Sequence, residues 1–201
     1  IFVDSNIIKP SQSSLIRGSG VDLDKLQFTL EPTTQKTVMF LARLLKDKGL
    51  LEFFNAAGRV KKTTEARFVL VGDLDPDNPN SITKPELSEY VESGIVEHWG
   101  YSKHVEAVIP QSHIMVLPSY REGLPKSLLE AAACGRAVIT TDVPGCRDAI
   151  EPNETGLLVK VKDVDDLAKA ILKLVNDDEL RTKLGQSGRR LAEKHFNIDD
   201  V

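Results

Sequence analysis

Two glutamates stand eight positions apart in Glu122-Gly-Leu-Pro-Lys-Ser-Leu-Leu-Glu130, directly after the apolar run His113-Ile-Met-Val-Leu117. A buried strand ending at Pro118-Ser119-Tyr120, followed by Gly123 and then Pro125 near the first helical position, predicts a helix N-terminus with free N–H groups above the sheet. Such an end attracts phosphate. Carboxylates only accept hydrogen bonds and sugars are rich in O–H donors, so Glu122 on the loop and Glu130 inside the helix are candidates to hold hydroxyls on the two sides of that phosphate. That is chemistry suited to a sugar nucleotide. Taken alone, a pair of glutamates more often marks a capped surface helix, because carboxylates near a helix start are favoured by the dipole.

The wider string shifts that balance. Ser119-Tyr-Arg-Glu-Gly-Leu-Pro-Lys-Ser-Leu-Leu-Glu130 and its continuation through Cys134-Gly-Arg-Ala-Val-Ile-Thr-Thr-Asp142 closely resemble the nucleotide-sugar-binding segment of family 4 retaining glycosyltransferases, which have the GT-B fold. Further pieces occur in that family's order: Gly18-Ser-Gly-Val-Asp22, Phe40-Leu-Ala-Arg43 with Lys48-Gly49, Val69-Leu-Val-Gly-Asp73, Val143-Pro-Gly145 and Asn153-Glu-Thr-Gly-Leu-Leu158. The resemblance spans residues 18–196, and the linked set is far more specific than any one piece. Two departures bear on the shape of the donor pocket. Leu124 stands between Gly123 and Pro125 where many relatives have Phe-Gly, and Asp73 is followed by Leu74-Asp-Pro-Asp-Asn-Pro-Asn80 where many have a short glycine turn.

Moving a glycosyl group off a nucleoside diphosphate requires nucleoside recognition, neutralisation of the charge growing on the leaving diphosphate, and orientation of the sugar. The resemblance implies that Arg43 and Lys48 serve the diphosphate, the first as a bidentate fork and the second as a point charge. It further implies that Glu130 accepts from the ribose and that Glu122 approaches the donor sugar. Backbone N–H groups of Gly123 and Leu124 are candidates for the diphosphate or sugar, whereas Pro125 has none to offer. Gly72 permits close approach beneath the nucleoside. Gly100 and Tyr101 match the place where relatives seat the base, although Tyr101 reads equally well as surface packing. Gly18 and Gly20 form a lone GxG, weak as a dinucleotide signature without a preceding strand; in the family it is a crossover turn beside the diphosphate. No metal ligand set is readable, and the resembling mechanism uses side-chain cations in place of a metal. His98, His104, His113 and His195 have no ligand spacing and are assigned structural or surface roles. Asp75, Asp77, Asn78 and Asn80 make a poor calcium loop, because two prolines interrupt it and no bidentate Glu follows.

At 201 residues, 41% hydrophobic, 28% charged and with a formal net charge of −4, the chain has the balance of one ordinary globular domain. No run reaches the ~20 apolar residues of a membrane span, and no charged-then-apolar leader opens the chain. The acidic balance argues against nucleic acid as a partner, and Arg59 with Lys61-Lys62 reads as a solvated helix end. Two cysteines, Cys134 and Cys146, supply neither a disulfide framework nor a four-ligand site and suit a reducing, cytoplasmic compartment.

Apolar runs alternating with helical-period segments predict an α/β, doubly wound, parallel Rossmann-like sheet. Strands are expected at 37–42, 67–72, 95–99, 114–117, 137–140 and 156–159, and helices at 49–62, 81–93, 104–108, 125–133 and 146–150. Asp163 should cap a packing helix, and a charged helix over 179–193 should cover the sheet's edge or lead to a partner. Residues 1–17 read as an interdomain linker and 18–201 as the nucleotide-sugar domain, the C-terminal half of a GT-B enzyme whose own N-terminal acceptor domain is absent from this chain.

Within the family, the Asp75 insertion and Leu124-Pro125 resemble enzymes that build bacterial surface polysaccharide, such as the O-antigen of lipopolysaccharide, on an undecaprenyl-diphosphate carrier. The donor implied is a UDP-sugar and the transferred group N-acetylgalactosamine or a related hexose. The lipid-linked saccharide acceptor would place the parent peripherally on the cytoplasmic face of the inner membrane. The alternatives are a non-catalytic nucleotide-binding or interaction domain, and a family member with another donor and acceptor. A dehydrogenase would need a glycine fingerprint where this chain has Arg43-Leu-Leu-Lys46.

Overall fold

The computed structural model describes Lys9 and residues 18–200; the expected linker over 1–17 otherwise lies outside the described residues. Six parallel strands form one sheet in the order β3-β2-β1-β4-β5-β6. They are β1 (Thr37–Leu41), β2 (Arg67–Val71), β3 (Glu97–His98), β4 (Ile114–Leu117), β5 (Ala137–Thr141) and β6 (Gly156–Val159). Every residue of β1, β4 and β5 is buried. That is why these strands are unbroken apolar runs rather than alternating ones, as a parallel sheet covered on both faces requires.

The intervening helices are α1 (Leu50–Val60), α2 (Lys84–Glu92), α3 (Val105–Val108), α4 (Lys126–Ala133), α5 (Pro144–Arg147), α6 (Val164–Asn176) and α7 (Asp178–His195). In α1, Leu50, Phe53, Phe54, Ala57 and Val60 recur at helical spacing and are buried, with the Phe53 ring seated between Phe40 and Phe68. The Asp163 side chain caps α6 as expected, accepting from the Asp166 N–H. α2 starts later than the sequence suggests because Thr83 and Glu86 form a reciprocal capping box that fixes its first turn at Lys84. β3 is shorter than expected: only Glu97 and His98 pair with β2, at the polar edge of the sheet.

α7 packs on α4 and against β5 and the edge strand β6, and its Arg181 is buried, donating from Nε and Nη2 to both oxygens of Glu31 at 2.9 and 2.8 Å. The 59–62 basic cluster is also more engaged than a solvated end. Arg59 pairs with Asp165, and Lys61 donates to the Gly94 carbonyl at 2.6 Å.

The strand order reverses between β1 and β4, since β1 leads outward to β2 and β4 leads outward to β5. In such sheets a crevice opens beyond the carboxyl ends of the two central strands, and ligands bind there. The loops carrying Arg43, Lys48 and Glu122 all leave from those ends.

Candidate functional site

A set of backbone contacts locks the loop after β1 onto the loop after β4. The Asp47 carbonyl accepts from the Tyr120 N–H at 2.9 Å and from Ser119 Oγ at 3.2 Å. Gly49 follows in the left-handed conformation (φ 75°), and a Cβ there would lie 2.1 Å from the Pro118 carbonyl oxygen. Only glycine allows both. This closure sets Lys48 Nζ 2.6 Å from Glu122 Oε1, with the two side chains 20% and 11% exposed. Gly145 of α5 supports the same loop from below, since a Cβ on it would come within 2.0 Å of the Gly123 carbonyl oxygen.

Beyond Glu122 the chain enters α4 through Pro125 as N-cap, with no side-chain cap. Among the described residues, the N–H groups of Gly123, Leu124, Lys126 and Ser127 have no acceptor. Four free donors beside Lys48 at the positive end of a helix form a place for anionic oxygens. Glu130 lies one turn into α4, on the side of Lys126. Burial holds its pKa above the ordinary carboxylate value, with Lys126 opposing, Glu106 reinforcing and Lys25 opposing that shift. Its carboxylate has no hydrogen-bond or ion-pair partner among the described residues. A half-buried, unpaired carboxylate is an acceptor without donors.

Seven of the residues singled out in the sequence line two cavities of about 670 Å³ each, and Lys48, Glu122, Gly20, Gly100 and Pro125 line neither. Arg43, Gly72, Tyr101 and Glu130 line one of them. Gly18, Gly123 and Leu124 line the other together with His195 at the end of α7. The Lys48–Glu122 pair lines neither cavity. Gly20 is structural: a Cβ would strike the backbone of Ile198 at 2.8 Å. Gly100 lines neither cavity, and its carbonyl is already taken by the Gly72 N–H at 2.9 Å. Gly72 serves close packing as well as access, because at φ 147° a Cβ would fall 1.9 Å from the Ala42 carbonyl oxygen. Tyr101 is 64% exposed at the rim of the Glu130 cavity.

Three lysines escaped the sequence reading. Lys25, Lys103 and Lys126 line the Glu130 cavity with Arg43, so four cations face Asp73, Asp75 and Glu130 within a chain of net charge −4. Lys126 had a signal, its place in the first turn of α4; Lys25 and Lys103 come from distant loops and had none. The histidines are structural where expected. His113 Nδ1 accepts from the Thr37 N–H and its Nε2 donates to the Pro32 carbonyl, and burial lowers its pKa. His98 Nε2 meets the Gly72 carbonyl at 2.8 Å. The 75–81 segment is a turn, with the Asn78 N–H donating to the Asp75 carbonyl and the Ser81 N–H to the Asn78 carbonyl. Among the described residues no group of three or more His, Cys, Asp or Glu is arranged to hold a metal ion.

Comparison with known proteins gives the same picture. The family model described as glycosyl transferases group 1 matches residues 23–191. The chain is 34% identical over 199 residues to the N,N'-diacetylbacillosaminyl-diphospho-undecaprenol alpha-1,3-N-acetylgalactosaminyltransferase of Campylobacter jejuni, covering 92% of this chain and 51% of that protein. Sucrose-phosphate synthase from Thermosynechococcus elongatus superposes with a TM-score of 0.81 at 28% identity, over 99% of this chain and 52% of its own. The crystallised C-terminal domain of the glycosyl transferase group 1 protein LpcC from Francisella tularensis superposes with a TM-score of 0.72 at 25% identity, over 89% of this chain and all of that domain. The chain spans about half the length of the curated relatives it matches.

Proposed function

Because this chain belongs to the glycosyl transferases group 1 family, with the doubly wound sheet of GT-B enzymes, we propose that it is the donor-binding C-terminal half of a retaining hexosyltransferase. The donor is a UDP-sugar carrying a hexose or N-acetylhexosamine. The acceptor is a polyprenyl-diphosphate-linked saccharide, completed by an N-terminal domain, in bacterial O-antigen or related polysaccharide synthesis on the cytoplasmic side of the membrane. The observation that carries the reading is the joining of Lys48 to Glu122 beside the free α4 N-terminus, at the switch point of the sheet. Supporting the acceptor are the activity for which the Campylobacter relative is named, transfer of N-acetylgalactosamine to an undecaprenyl-diphosphate-linked sugar, and its 34% identity. Supporting the C-terminal placement is the match to the isolated LpcC domain. Among the described residues no helix is long and apolar enough to cross a membrane.

In this reading Arg43, Lys48 and the α4 N–H groups hold the diphosphate, Glu130 accepts from the ribose, and Glu122 accepts from hydroxyls of the sugar. As the bond from the anomeric carbon to the phosphate oxygen breaks, its electron pair leaves with UDP, and fixed cations already in place stabilise that charge without reorganising. An acceptor hydroxyl oxygen then bonds to the anomeric carbon on the face from which UDP left, its O–H bond breaking as the proton passes to the departing diphosphate oxygen. Cationic side chains supply the counter-charge, so no metal is required. The test is Arg43→Ala combined with Lys48→Ala. UDP affinity should collapse and uridine affinity should hold, with the UDP deficit shrinking as salt rises; transfer by the enzyme with its acceptor domain should survive EDTA. Parallel losses for uridine and UDP, or EDTA inactivation rescued by Mg²⁺, would contradict the assignment.

A further inference from the structure

Arg43 is not free. Its Nη1 lies 2.8 Å from Asp75 Oδ2, in the segment where the sequence departs from the short glycine turn of its relatives. The two partners differ in freedom. The Arg43 side chain is 63% exposed and that of Asp75 30%. The Asp75 backbone is held by its N–H donating to Ser81 Oγ at 3.0 Å and its carbonyl accepting from the Asn78 N–H at 2.9 Å. The preceding residues are tied to the loop after β1 by the Leu44 N–H donating to the Asp73 carbonyl at 3.0 Å. The carboxylate is therefore the fixed half of the pair and the guanidinium the mobile half. Both line the cavity that also holds Glu130 and Tyr101.

We propose that Asp75 acts through Arg43 as an internal substitute for phosphate, occupying the guanidinium in the free chain and setting how tightly a nucleoside diphosphate can be held. The proposal rests on the donor-site reading above. A carboxylate at this spot has two consequences for an incoming diphosphate. It satisfies part of the charge that the phosphate would otherwise recruit, and it places a like charge beside phosphate oxygens, an interaction that costs affinity. Lys48 differs, because its partner Glu122 is itself assigned to the donor sugar and keeps a role once the phosphate has taken the lysine. Asp75 has no such second role in the site. Its effect is thus confined to ligands that carry phosphate, which separates it from a residue that merely holds the loop.

The experiment is calorimetric titration of the parent chain, Asp75→Asn and Asp75→Ala with UDP and with uridine, across a salt series, with a melting curve for each variant. Exposed ion pairs are worth little, so the expected gain in UDP affinity is about two- to fivefold, with uridine unchanged and the gain fading at high salt. In an Arg43→Ala background the gain should be smaller, since the competed cation is gone. Weaker UDP binding by Asp75→Asn would show that the carboxylate instead orients Arg43, and equal shifts for UDP and uridine would show a structural role; either overturns the proposal while parental UDP binding leaves the site reading intact. Failure of the parent itself to bind UDP would overturn both.

Discussion

Glu130→Gln should change stability and binding in opposite directions. In the free chain burial raises the Glu130 pKa, so its ionised form is less favourable folded than unfolded. For a carboxylate shifted upward, the stability contribution is fully present below the unfolded pKa of about 4.3 and is lost as pH rises through the folded pKa. At pH 7 the native chain therefore carries a penalty that glutamine lacks. The variant should melt higher at pH 7, and the difference should vanish near pH 4. Binding runs the other way. With no partner among the described residues, Glu130 loses nothing there when ribose hydroxyls arrive, and hydrogen bonds to a charged acceptor contribute about 1.5–3 kcal/mol. At 1.4 kcal/mol per tenfold, Glu130→Gln should weaken UDP by roughly tenfold to a hundredfold. Uridine shares the ribose and should lose the same factor, unlike in the Arg43 and Lys48 variants. Parental affinity should also fall as acidification protonates Glu130. Calorimetry with both ligands at two pH values, beside thermal melts, reads all of this; an unchanged uridine affinity, or a lower melting temperature at pH 7, would refute the reasoning.

Gly145→Ala places a Cβ 2.0 Å from the Gly123 carbonyl oxygen and must lift the Glu122 loop. UDP-sugar affinity should drop more than UDP affinity, with a stability loss of about 1–3 kcal/mol typical of overpacking; equal losses for both ligands would argue against Glu122 serving the sugar. Arg181→Ala removes a side chain 1% exposed from a Glu31 carboxylate 17% exposed and should cost about 3–5 kcal/mol in a denaturant melt. UDP binding by the folded fraction should be unchanged, because this pair lies at the amino end of β1, opposite the site.

What could be read in the sequence was what short windows control. The apolar runs that became β1, β2, β4, β5 and β6 located the sheet, Asp163 located the start of α6, and the motifs fell at strand ends because loops after strands are where such residues can stand. Both glutamates of the α4 segment took their expected places, one on the loop and one in the helix. The tertiary structure decided what depends on residues brought together from afar. Lys48 reaches Glu122, 74 positions away, only because Gly49 adopts φ 75° against Pro118, and no local pattern encodes that meeting. Arg43 looked like a free phosphate ligand until the turn over 75–81 set Asp75 against it. Arg181 belongs to a helix the sequence marks only as charged, yet it is buried and meets Glu31, 150 positions earlier. Periodicity reports which face of an element is apolar; which charges meet is set by how the elements are stacked, and a buried charge persists only where that stacking supplies its partner.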